Sequence, residues 1–77
     1  MKILDYPVFL RPEDSGGYSV SCPAFQGCYS QGDTFEDALK NIKEAIELCI
    51  EEILDEGEKL PEPVELIVKN VAVEYDA

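Results

Sequence analysis

From Phe35 onward the apolar residues Phe35, Ala38, Leu39, Ile42, Ala45, Ile46, Cys49, Ile50, Ile53 and Leu54 recur at steps of three and one. That spacing lines one side of an α-helix and predicts a single long helix over about residues 34–56, roughly 34 Å at ~1.5 Å per residue. Thr34 stands at the expected N-cap, with Asp37 three positions on as a short-armed capping-box partner. Gly57 suits a left-handed C-cap, and Leu60-Pro61-Glu62-Pro63 prevents continuation. The opposite side carries Glu36, Asp37, Lys40, Lys43, Glu44, Glu47, Glu51, Glu52, Asp55 and Glu56. Lys40 has acidic residues four positions to either side and Lys43 has Glu47 four beyond, so helical ion pairs are expected there. Past Lys43 that face has no positive charge, and carboxylates in the last turns oppose the helix dipole at a cost of about 0.3–1 kcal/mol each near the end. Local helix stability does not account for them.

Before the helix, the pattern changes to that of strands. Gly17 to Ser21 alternates large and small side chains, and Cys22-Pro23 ends the run because proline has no amide donor. A second extended piece is expected over Cys28 to Gln31, with Gly32 permitting a sharp turn into the helix. Leu4 to Leu10 reads as an earlier strand containing Pro7, and Pro12 to Gly17 (PEDSGG) as the turn of an antiparallel hairpin. Pro7 places its part of the strand at an edge or turns its missing donor away from a neighbour. After the double proline, Val64 to Tyr75 returns to β-branched residues, with Val71, Val73 and Tyr75 on one face and a possible kink at Asn70. The expected fold class is therefore α+β, with the order βββαβ and one sheet covered by one long helix.

Seventy-seven residues without a composition break predict one domain, 1–77. The N-terminal apolar run is interrupted by Asp5 and Pro7, and no stretch approaches the ~20 apolar residues that span a bilayer, so a soluble cytoplasmic protein is expected. Cys22, Cys28 and Cys49 are odd in number, lack a CxxC spacing and have no histidine beside them in the chain, and they read as buried small hydrophobes. Seventeen acidic residues against six basic ones give a net charge of −11. Such a surface repels a phosphate backbone, which argues against direct nucleic-acid binding, and a basic protein is its natural complement. Acidity that serves only solubility is the alternative.

Little in the chain supports catalysis. A serine or cysteine nucleophile lacks the usual histidine base. A carboxylate-only metal nuclease would need acids converging from several strands, and Asp5 is the only acidic residue in the first two expected strands. Gly16-Gly17 precedes a strand, no P-loop or GxGxxG pattern is present, and Asp33 already supplies negative charge where an anion would meet the helix start. No enzyme, cofactor or metal is expected. The tyrosines and phenylalanines are spread over all elements, and Tyr18 or Tyr29 could serve as protein-interface anchors.

Gly17-Tyr18-Ser19-Val20, Pro23, Gly27-Cys28, Ser30-Gln31-Gly32-Asp33-Thr34, Glu36-Asp37-Ala38, Asn41, Glu44-Ala45-Ile46 and Leu60-Pro61-Glu62-Pro63 occur here in order. This combination, covering about Tyr6 to Pro63, resembles the HicB-like antitoxin family. The resemblance implies a partial ribonuclease-H-like βββαβ fold without nuclease activity, and a role in neutralising a small basic mRNA-cleaving toxin of the HicA type. Gly17, Tyr18, Pro23, Gly27, Gly32, Asp33 and Thr34 are read as its structural motif. Longer family members continue into a DNA-binding ribbon-helix-helix or helix-turn-helix segment, whereas this chain runs to Ala77 after its last expected strand, and a stand-alone member is expected. From charge and spacing alone, Glu44, Glu47, Glu51, Glu52 and Asp55 are the expected docking residues for the cationic partner. Unpaired strand edges predict a homodimer. An orphan oligomeric interaction module without a toxin is the alternative.

Overall fold

The computed structural model describes residues 3–76, so the first two residues and the last residue of the expected 1–77 domain lie outside the described residues. Three short strands, β1 (Phe9–Pro12), β2 (Tyr18–Ser21) and β3 (Tyr29–Gly32), precede one helix, α1 (Phe35–Asp55). The strands form an antiparallel sheet in the order β1-β2-β3. The helix packs across one face of that sheet. The α+β architecture, the three strands and the long helix thus follow the pattern in the chain.

β1 begins later than the run Leu4 to Leu10 suggests. Leu10 faces Val20 and Phe9 faces Ser21. Continuing that register outward sets Pro7 opposite Pro23, and neither residue has an amide hydrogen to give the other. The ladder therefore stops before Pro7 and extends at its other end to Pro12, where Glu13 N–H donates to the Gly17 carbonyl at 3.0 Å to close the hairpin. Between β2 and β3 the chain makes two successive tight turns. Phe25 N–H donates to Cys22 O and Cys28 N–H to Phe25 O, with Gly27 at φ +72° in the left-handed region. These turns tuck Phe25 under the sheet, edge-on to Tyr6 with ring centroids 4.9 Å apart.

The core is small and sits between sheet and helix. Val20, Cys22, Phe25, Cys28, Ala38 and Ile42 are buried, with Leu10, Tyr18, Ala45, Ile46, Cys49, Ile50 and Ile53 packed against them. Cys22 and Cys28 thus take the place expected of small hydrophobes, and Cys49 is half-buried beside them. Gly32 acts differently from the expected turn glycine. A Cβ there would stand 2.6 Å from the Asp37 carbonyl carbon and 2.8 Å from Ala38 Cα. The missing side chain lets the first turn of α1 lie directly on the end of β3. Gly17, at φ +78°, lies against the same spot, and its Cβ would meet the Gly32 carbonyl at 2.8 Å.

Both helix ends are closed by local hydrogen bonds. Thr34 is extended and its Oγ1 accepts from Asp37 N–H at 3.1 Å, which satisfies one amide of the first turn. Among the described residues the reciprocal bond of a full capping box is not made. Replacing Thr34 by alanine should cost about 1 kcal/mol, which for a chain this size lowers the melting midpoint by roughly 4–8 °C. A thermal melt followed by circular dichroism checks this. At the other end Gly57 N–H donates to Leu54 O and Glu58 N–H to Ile53 O, with Gly57 at φ +73°. That is the paired bonding of a Schellman cap.

The fourth strand expected over Val64 to Tyr75 does not form, which corrects the βββαβ order to βββα. Residues 58–76 carry no helix or strand, and the large apolar side chains from Val64 to Tyr75 are exposed. A strand exists only when its amides and carbonyls meet a partner edge, and this segment meets none among the described residues. It leaves the domain beside β1, where Tyr6 O–H donates to the Pro61 carbonyl at 2.6 Å.

Candidate functional site

The acidic side of α1 faces away from the sheet because the apolar spacing of the helix commits its other side to the core. Glu44, Glu47, Glu51, Glu52 and Asp55 are all exposed. They do not form one cluster. Glu44, Glu47 and Glu51 line a shallow groove together with Leu48. Asp55 stands one turn beyond Glu51 on the same stripe. Glu52 turns to the other side and lines a separate groove with Cys49, Ile53, Glu56, Lys59, Pro61 and the Ala24–Gln26 loop. The ion pairs expected of Lys40 and Lys43 do not form among the described residues, and the groove of Glu44, Glu47 and Glu51 is lined by no basic residue.

Leu48 is the residue that sequence reasoning passed over. It is 66 % exposed in the middle of the carboxylates, although leucine there contributes nothing to the core. Its signal was its misfit: it falls outside the three-and-one apolar spacing, among acidic neighbours. An apolar group ringed by charges suits docking, since the leucine supplies desolvation at the centre and the carboxylates supply orientation and long-range attraction at the rim.

The motif residues sit elsewhere. Gly17, Tyr18, Gly32 and Asp33 line a polar cleft at the start of α1, together with Glu13, Asp37 and Asn41. Asn41 Nδ2 donates to the Gln31 carbonyl at 2.7 Å and ties the helix to the outer edge of β3. Pro23 and Gly27 belong to the β2–β3 turns at the opposite end of the sheet. Tyr18 packs edge-on against Phe35, with centroids 5.9 Å apart, whereas Tyr29 projects from the outer sheet face beyond Ser21. Asp5 is exposed and precedes β1, and among the described residues no group of three or more histidine, cysteine or acidic side chains is placed to hold a metal ion. No helix among them is long and apolar enough to cross a membrane.

Burial raises the Cys28 thiol from its ordinary 9.0 to about 11, helped by a hydrogen bond with Cys49 and by the neighbouring thiols. Burial likewise raises Cys22. As pH rises, the unfolded chain releases these protons first, so the contribution of both thiols to stability is full below pH 9.0 and falls above it, that of Cys28 being lost toward about pH 11. Two results are expected. The urea midpoint falls across that interval, and a thiol reagent at about pH 8 leaves Cys22 and Cys28 unmodified until denaturant is added, because the protonated, covered thiol is a poor nucleophile.

Residues 6–77 match the family described as HicB-like antitoxin of bacterial toxin-antitoxin systems. A UPF0150 protein of Synechocystis sp. is 49 % identical over 72 residues, which cover 94 % of this chain and 90 % of the relative. A UPF0150 protein of Thermoplasma acidophilum is 43 % identical over 58 residues, covering 75 % of this chain and 84 % of its own. Antitoxin HicB 1 of Photorhabdus laumondii is 40 % identical over 63 residues, covering 82 % of this chain but 41 % of the longer relative.

Proposed function

The chain belongs to the HicB-like antitoxin family, and from that membership we propose that it neutralises a small basic HicA-type toxin that cleaves messenger RNA. The observation that carries this reading is the exposed Leu48 set among Glu44, Glu47 and Glu51 on the outer side of α1. A ribonuclease presents positive charge where its RNA lies. A rigid helix bearing carboxylates around one apolar residue competes for that surface, and the chain's net charge of −11 speeds the encounter. Inhibition in this reading is steric and electrostatic, takes place in the cytoplasm, and asks no catalytic step, metal, cofactor or nucleic-acid contact of this chain. The ribonuclease-H-like topology belongs to the same reading and requires a strand after α1 to join the sheet.

The test is co-expression and co-purification with the small basic protein encoded beside this gene, followed by an RNA-cleavage assay. Cleavage should fall to background near one antitoxin chain per toxin. Cleavage that continues at a tenfold excess of this chain sinks the proposal. The alternative, an oligomeric interaction module without a toxin, draws on a different observation, the exposed apolar segment after α1.

A further inference from the structure

We infer that Cys49 is an oxidation site: a peroxide entering the groove beside α1 converts its thiol to a sulfenic acid, and Cys28 then closes a disulfide with it inside the same chain. The inference does not depend on the toxin reading. The β2–β3 register that sets Ser21 opposite Tyr29 continues to Cys22 opposite Cys28, where Cys22 N–H donates to Cys28 O at 3.0 Å. Both cysteines alternate in phase with the Val20 row, so their side chains point at the helix and are buried there. Cys49 lies about two helical turns beyond the buried Ile42 on the core stripe of α1, and it packs against the same cluster. Three free thiols from strand and helix thus converge at one end of the core.

Their partners differ. The Cys22 sulfur accepts hydrogen bonds from the amides of Ala24 and Phe25, which hold it within the turn that follows β2. The Cys28 side chain is instead hydrogen-bonded to Cys49. Packing alone asks only for small apolar groups at these places and does not require sulfur to meet sulfur. Exposure differs as well. Cys22 and Cys28 are buried, whereas Cys49 is half-buried and lines an open groove of about 580 Å³ with Ala24, Phe25, Ile53, Lys59 and Pro61. One accessible thiol in contact with one covered thiol is the arrangement of an attacked and a resolving cysteine.

In the first step the Cys49 sulfur bonds to one oxygen of hydrogen peroxide and the O–O bond breaks. The thiol proton leaves with the other oxygen as water, and Cys49 becomes S–OH. In the second step the Cys28 sulfur attacks the Cys49 sulfur, the S–OH bond breaks, and the departing hydroxide takes the Cys28 proton as a second water. Holding the two sulfurs in contact makes this step intramolecular, which offsets the weak nucleophilicity of a covered thiol. The bond draws the sulfurs to about 2.0 Å, and Cys49, beside open space, is the side chain with room to adjust. The disulfide ties α1 to the start of β3 and is undone by small thiols.

The test is to treat the folded, reduced full chain with excess hydrogen peroxide and to map its peptides without reduction. The mass should fall by about 2 Da, the two hydrogens lost to the disulfide, with one cross-link joining Cys28 to Cys49 and with Cys22 free once the chain is denatured. Closing the loop between them should raise the melting midpoint by roughly 10 °C, reversibly with dithiothreitol. Cys28→Ala should leave Cys49 as a sulfenic acid that dimedone traps. Cys49→Ala should leave Cys22 and Cys28 reduced, and Cys22→Ala should still form the bond. A cross-link that involves Cys22, a disulfide only between chains, Cys49 oxidised without a cross-link, no oxidation at all, or a lowered midpoint overturns the inference. The wild-type peptide map decides the matter even if a variant fails to fold.

Discussion

Gly32→Ala should destabilise this protein by about 3 kcal/mol or more, the upper range for forcing extra atoms into a packed interior. The new Cβ would lie within 2.8 Å of Ala38 Cα and closer still to backbone atoms of Asp37 and Ala38. No flexible side chain can move aside, so the first turn of α1 must lift from β3. That turn carries Ala38, which is fully buried, and Ile42 sits one turn on, so lifting it opens the core at its centre. A chain of this length has roughly 4–12 kcal/mol of total stability. The substitution should therefore lower the melting midpoint by more than about 10 °C. Gly16→Ala separates the two effects: Gly16 has positive φ, which Gly32 does not, and nothing stands within 4 Å of its Cβ, so it registers backbone strain without the clash. A melting midpoint left unchanged by Gly32→Ala would show that close approach of the helix is not what requires Gly32.

Charge reversal on the helix should have the largest effect on partner binding. Glu47→Lys with Glu51→Lys replaces attraction by repulsion beside Leu48, and like charges brought together in an interface cost several kcal/mol. Affinity for the toxin is expected to fall by at least about 100-fold, or ~2.7 kcal/mol. The remaining binding should depend less on salt, because exposed charges act over only about 8 Å at physiological ionic strength and added salt weakens them first. Leu48→Ala should weaken binding by about 1–3 kcal/mol without changing the salt slope. Glu52→Lys should do less than either, since Glu52 lines the other groove. Titration calorimetry at two salt concentrations separates these outcomes. Unchanged affinity and salt slope in the double reversal would remove the acidic stripe from the interface. All these carboxylates are exposed, so folding should survive each change.

How far the chain could be read in advance differs from element to element. The helix was legible to within a residue at each end, because periodic apolar positions, a threonine cap and a glycine stop are all local signals. The β2 and β3 spans were legible for the same reason. The start of β1 was not, because the conflict between Pro7 and Pro23 exists only once the two strands are set in register. Gly32 was assigned to a turn, since a glycine kept small for a neighbouring helix looks the same in a sequence as one kept for φ. The candidate docking residues were found as a charge class, but their division between two grooves, and the place of Leu48 among three of them, depended on how the helix is rotated against the sheet.

By itself the sequence determined the class of fold, the long helix with its caps, the thiols as core residues and the excess of negative charge. Each follows from spacing or composition, which act over a few residues or over the whole chain. Only the tertiary structure decided which carboxylates share a groove, why Gly32 can be nothing larger, and that Val64 to Tyr75 pairs with no strand among the described residues. The composition of that last segment predicts a strand, and none forms there. A strand also requires an edge to receive its hydrogen bonds, and the position of an edge depends on the packing of distant parts of the chain, which no local pattern records.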